Sequence, residues 1–137
     1  MTKLFIDSDI ILDLLLKREN YSEAAELFTE IEERKYKGHT TSIVIANVHY
    51  IMAKFGGKKN SIKNLRKLRN LLSILTTSEK IVDDALLEDT ADFEDAIQYI
   101  AAEKNGMDFI ITRNKDDFKR SKLTVLNARE FLDIGDF

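Results

Sequence analysis

The stretch DFEDAIQYIAAEKNGMDFIITRNKDDF, Asp92–Phe118, reads as a helix, a strand and a loop in that order. Ala96, Ile97, Ile100 and Ala101 recur at helical spacing and form a packing face. Asp92 stands where a helix cap belongs, and Asp95 falls three residues later in the same turn. Gly106 is placed as the stop. MDFIIT is then a buried strand, and RNKDDF is the loop that leaves it. Acids sit at both ends of this unit: Asp92, Glu94 and Asp95 at the helix start, Asp116 and Asp117 beyond the strand.

Working outward, KLFIDSDIILDLLLKRE (3–19) repeats the theme. Lys3–Ile6 reads as a short buried strand ending at Asp7, and Ile10–Leu16 as a helix. Asp7, Asp9 and Asp13 lie in an apolar run, where an unpaired carboxylate costs several kcal/mol, so each needs a partner or a task. Residues 22–37 form an amphipathic helix that Gly38 is placed to end. TTSIVIANVHYIMAKFGG (40–57) has the length of a buried helix, ending at Gly56 and Gly57. Asn60–Leu75 carries Ile62, Leu65, Leu68, Leu72 and Leu75 on one helical face. ILTTSE suggests a brief strand with Ser78 as a following cap, LTVLN another strand, and Ala128–Ile134 a last helix. Strands separated by helices predict an α/β protein in three layers. Its short parallel sheet would have about four to five strands flanked by helices, within one domain over residues 1–137.

The chain's 137 residues are 44% hydrophobic and 33% charged. No apolar run approaches the ~20 residues of a membrane span, and the N-terminus lacks the pattern of a signal peptide. There is no cysteine, hence no disulfide and no thiolate ligand; a cytoplasmic location is expected. The net charge of −3 hides an asymmetry. Lys54 to Arg69 holds seven cations and no acid, and Glu79 to Asp95 holds eight acids and one lysine. Such blocks fit either two solvated helix faces or a basic polyanion surface beside an acidic metal site.

In open α/β sheets ligands bind at the carboxyl ends of the strands. The expected fold brings residue 7, residues 92–95 and residues 114–117 to that edge. Clustered oxygen donors suit a hard divalent cation such as Mg²⁺. The same acids also fit plain structural roles, Asp92 and Asp95 as caps and Asp116 as a turn residue. His39 and His49 lack zinc-site spacing, and no P-loop, GxGxxG or GxSxG motif occurs.

Together these residues match a known family. FIDSDIILDLLLKRE and DFEDAIQYIAAEKNGMDFIITRNKDDF, in order and at this separation, resemble the opening and closing blocks of PIN domains. Within that superfamily the chain is similar to the VapC-like toxins of bacterial toxin–antitoxin pairs, and the resemblance spans essentially its whole length. It implies a metal-dependent endoribonuclease using Mg²⁺ or Mn²⁺. Asp7, Asp95 and Asp117 would be the catalytic and metal-holding acids, with Asn114 and Asp92 as further contributors. Asp9, Asn47, Thr112 and Glu94 would stand behind them, shaping the loop or hydrogen-bonding the acids. Arg113 and the basic residues Lys54, Lys58, Lys59, Lys63 and Arg66 would meet RNA phosphates. A small antitoxin and a second copy of the chain are the implied protein partners; no membrane is implied.

There are two departures from the pattern. Asp9 stands where the family usually has asparagine, and Asn47 where many members place a glutamate. An amide is a poorer Mg²⁺ ligand than a carboxylate and no general base. Asn47 therefore motivates a second reading, a non-cutting PIN fold that binds RNA or protein. A third reading takes FIDSD as the strand-end DxD of haloacid-dehalogenase-like phosphotransferases. The chain is short for that fold, Ile11 replaces the usual Thr or Val, and DFEDA is left unexplained.

Overall fold

A computed structural model describes residues 1–89 and 92–135. Five parallel strands form one sheet: β1 (Lys3–Ile6), β2 (Lys37–Thr40), β3 (Leu72–Ile74), β4 (Phe109–Ile111) and β5 (Thr124–Leu126). Their order is β3-β2-β1-β4-β5. Leu4 of β1 pairs with Gly38 on one side and Phe109 on the other. Leu4, Phe5 and Ile6 have no exposed surface, as a central strand covered on both faces requires.

Helices α1 (Ser8–Leu15) and α2 (Tyr21–Glu32) join β1 to β2, and α3 (Ser42–Gly56) and α4 (Lys58–Arg69) join β2 to β3. Helices α5 (Glu79–Leu86) and α6 (Phe93–Lys104) return the chain to β4, and α7 (Ala128–Ile134) follows β5. Helix α1 packs against α2 and α3, α7 against α2, and α5 against α6. Right-handed crossovers put α1–α4 on one face and α5–α6 on the other, because the strand order runs outward from β1 in opposite directions. The three-layer α/β expectation holds. That reversal leaves a crevice between the ends of β1 and β4, where α/β folds bind ligands. Among the described residues no helix is long and apolar enough to cross a membrane.

Two boundaries differ from the sequence reading. The helix expected over 22–37 stops at Glu32; Arg34 takes a positive φ of 64° and residues 37–40 form β2. Gly38 is therefore a strand residue, not a helix stop. A Cβ on it would sit 2.5 Å from Leu72 Cδ2 and 3.1 Å from Ile31 Cδ1. The helix expected over Asn60–Leu75 ends at Arg69, and Leu72 and Leu75 belong to β3 and its exit. The leucine spacing continued across a turn, so periodicity alone could not separate helix from buried strand.

Candidate active site at the carboxyl ends of the strands

Asp7 leaves β1 and caps α1, its Oδ1 accepting from Ser8 N at 2.8 Å. Its backbone N donates to Ile111 O of the neighbouring strand, 3.0 Å away. Thr112, one residue past β4 and wholly buried, points its hydroxyl back between two acids. Its Oγ1 lies 2.8 Å from Asp7 Oδ2 and 3.3 Å from Asp9 Oδ2. A hydroxyl has one proton, so the shorter contact to Asp7 is the donated bond. Thr112 Oγ1 also accepts from Asn114 N at 3.0 Å, which sets the start of the following loop.

Asp9 and Asp13 do other work. Asp9 Oδ2 accepts from Arg113 N at 2.9 Å, while its Oδ1 is buried with no hydrogen-bond partner. Asp13, 1% exposed, takes Arg113 in a fork: Nε at 2.7 Å and Nη2 at 3.1 Å. Arg18 Nε stands a further 4.0 Å from Asp13. Arg113, expected to meet phosphate, thus has two of its guanidinium donors committed to Asp13.

Asp95 reaches the crevice from the first turn of α6. Asp92 Oδ1 caps that helix by accepting Asp95 N at 3.0 Å. Asp117 comes from the 3-10 turn Lys115–Phe118, which is anchored by Phe118 against Phe5 at 6.3 Å between ring centroids. Asn114 precedes that turn, exposed. Asp89, Asp92, Asp95, Asp116 and Asp117 line an open cleft of about 370 Å³ with Lys119 and Arg120.

The acids feel one another. Burial, and then the charge of Asp9, push the Asp7 carboxyl up to about 6, against the lowering by Thr112 and Ser8; Asp117 raises it slightly further. Asp95 is pushed up to about 7, first by burial and then by Asp92, Asp117, Asp7 and Glu94. Burial also raises Asp9, opposed by the amide and guanidinium of Arg113. Asp7, Asp95 and Asp117 are thus brought within electrostatic reach of each other from three distant segments.

Glu94 is held from outside the cluster: Asn47 Nδ2 of α3 donates to its Oε1 at 2.5 Å. Lys54 lies in the last turn of α3, and Lys58, Lys59, Lys63 and Arg66 lie on α4; none lines the acidic cleft. Sequence reasoning did not place Lys119 and Arg120 at the cleft, although the basic pair directly after KDDF was a usable signal.

The donor set is all oxygen, and His49 is turned away onto Ser61, 2.7 Å from its Nδ1. Mutually repelling carboxylates and the unpartnered Asp9 Oδ1 fit a hard divalent cation. Among the described residues no three acidic or histidine side chains already converge into a coordinating set.

A family model for the PIN domain matches residues 3–116. The chain belongs to the PIN domain family. This PIN domain is 28% identical to Ribonuclease VapC1 of Aquifex aeolicus over 135 residues, covering 94% of this chain and 92% of that protein. It superposes on a toxin–antitoxin complex from Klebsiella pneumoniae with a TM-score of 0.69 at 23% identity, covering 91% of this chain and 97% of that one. FitAcB from Neisseria gonorrhoeae gives a TM-score of 0.70 at 15% identity, covering 92% and 98%. The VapC-like resemblance read from FIDSDIILD and DFEDA is borne out.

Proposed function

We propose that this PIN domain is a Mg²⁺- or Mn²⁺-dependent endoribonuclease, the toxin of a toxin–antitoxin pair, cutting RNA phosphodiesters. The observation that carries the reading is the gathering of Asp7, Asp95 and Asp117 from three distant segments at the carboxyl ends of the strands, where burial first, and neighbouring acids second, push Asp7 up to about 6 and Asp95 up to about 7. Acids that hold protons this tightly when metal-free are poised to exchange them for a cation. The ribonuclease relative at 28% identity supports the same activity, and the Klebsiella complex supports a small antitoxin as partner. A second copy of the chain is the other proposed partner.

Asp7, Asp95 and Asp117 would hold the metal, with Asn114 and Asp92 beside them. Such an ion, when bound, activates water and offsets charge on the phosphate. Thr112 keeps Asp7 oriented by donating to Oδ2, leaving its other lone pairs available. Asp92 holds the first turn of α6 and so fixes where Asp95 projects. Asp7 and Asp95 would have to be ionised to hold the ion. Asn114, exposed just before the 3-10 turn, would hydrogen-bond a water of the site.

The non-cutting alternative rests on Asn47. The hydrogen bond from Asn47 to Glu94 favours cutting, because it sets a carboxylate from α6 beside the amide. The test is incubation of RNA with the purified chain and Mg²⁺ or Mn²⁺ beside an Asp7→Asn control. Metal-dependent cleavage by the parent alone is expected; equal cleavage in both samples would sink the nuclease reading.

A further inference from the structure

We infer that the outer face of α3, from Asn47 through Tyr50 to Lys54, is a track for single-stranded RNA leading to the acidic cleft, with Tyr50 stacking a base. The inference rests on the ribonuclease reading above and adds how that substrate is gripped.

The track starts at the site. Asn47 is hydrogen-bonded to Glu94, the neighbour of Asp95. Lys54 lies seven residues on, two helical turns and about 10 Å along the same face, with Tyr50 between them. Tyr50 is 65% exposed, and Phe55, at the end of α3, is 73% exposed. Lys54 Nζ stands 4.2 Å over the Tyr50 ring centroid, a contact that steadies the ring while the residue stays largely exposed. An exposed aromatic with a cation beside it is how proteins hold unpaired bases, and such stacking tolerates any base.

Charge selects the occupant. Among the described residues, Lys58, Lys59, Lys63, Arg66 and Lys67 have no ion-pair partner. Those residues lie on α4, which packs against α3, and no acid lies between Lys54 and Arg69 in the sequence. Protein interfaces deplete lysine, whereas here Lys54 stands over Tyr50 and Lys54 and Lys58 flank Phe55 in the sequence. A polyanion approaching a cleft of five acids meets repulsion, and cations without ion-pair partners on the helix that packs against α3 offset part of it. The two helices are tied together: His49 of α3 bonds buried Ser61 of α4 at 2.7 Å, and Gly57 turns the chain between them at a φ of 84°.

The test uses the full chain carrying Asp7→Asn, so that RNA is bound and not cut. Anisotropy of a labelled, mixed-sequence single-stranded RNA in Mg²⁺ gives the affinity. Tyr50→Ala should weaken binding roughly 5- to 150-fold, the range of one lost stacking contact. Tyr50→Phe should stay near the parent, and duplex RNA should be little affected by either. A Lys58→Gln, Lys59→Gln chain should bind with a salt slope lower by about one to two. Circular dichroism melts establish that each variant is folded. Parent-like binding by Tyr50→Ala, or no binding by any chain, overturns the track. So does a Tyr50→Ala chain whose mass by light scattering falls while its RNA affinity holds; this would make the face a self-association surface. Failure of the ribonuclease reading shows separately, as equal cleavage by the parent and Asp7→Asn chains. Tyr50-dependent binding in that case still supports the track.

Discussion

Asn47 on α3 and Glu94 on α6, 47 residues apart, meet side chain to side chain, with Nδ2 donating to Oε1 at 2.5 Å. The amide thereby fixes a carboxylate next to Asp95. Partners behind a metal's ligands typically govern 10- to 100-fold in affinity. Glu94→Gln should weaken Mn²⁺ binding by about 10-fold or more, and Asn47→Ala by less, as measured by calorimetry. If Asn47 acts only through Glu94, the double variant will match Glu94→Gln alone. Additive losses would refute that coupling.

Stability of the metal-free chain should fall as pH rises. Asp7 has a pKa of about 6 in the folded state against 3.8 as its ordinary value, so the native state binds the proton more tightly. This contribution is complete below the ordinary value and lost as pH climbs through about 6. Between about pH 5 and about pH 8, Asp7 alone predicts a loss of about 1 kcal/mol. Asp95, at about 7, extends the window upward, with a smaller effect because it is partly exposed. Urea midpoints in a chelator measure the slope, and Mg²⁺ should restore more stability at the higher pH. A flat profile would count against the coupled acids.

Asp13→Asn should destabilise the chain by about 3 kcal/mol, the low end for breaking a buried pair, since Arg113 is partly exposed. Asp13→Leu with Arg113→Met should cost less than either single change, because neither charge is then left alone. Denaturant unfolding of the three variants decides it. Equal losses in the singles and the double would mean that the ion pair carries no coupling.

Gly38→Ala should cost about 1–3 kcal/mol, as a Cβ there would lie 2.5 Å from Leu72 Cδ2. Combining it with Leu72→Val relieves the clash, so the double should recover part of the loss in melting temperature. A neutral Gly38→Ala would show that β2 and β3 can part at no cost.

Much of this was legible from residue order. Asp7 at the end of β1, Asp92 as cap, Asp95 in the first turn and Phe109–Ile111 as a strand follow from local chemistry: apolar runs, a cap residue, a glycine stop. β2 was not legible. Its residues, KGHT, have no apolar alternation, and its burial comes from pairing with Leu4 and Leu72 on either side. The fate of Asp13 was hidden for a related reason. Its partner Arg113 is 100 residues away, and no local pattern encodes that distance. The electrostatic coupling of Asp95 to Asp7 likewise exists only once the sheet has closed.

Thr112 and Asp7 touch across 105 residues of chain, and β1 pairs directly with β4. A growing polypeptide therefore carries Asp7 long before it carries the hydroxyl that orients it or the turn that brings Asp117. Synthesis is sequential, so the acidic centre can be assembled only after the ribosome has passed residue 117. Every shorter product lacks it. For a chain read as harmful to the cell that makes it, that ordering delays the hazard and keeps abandoned fragments harmless.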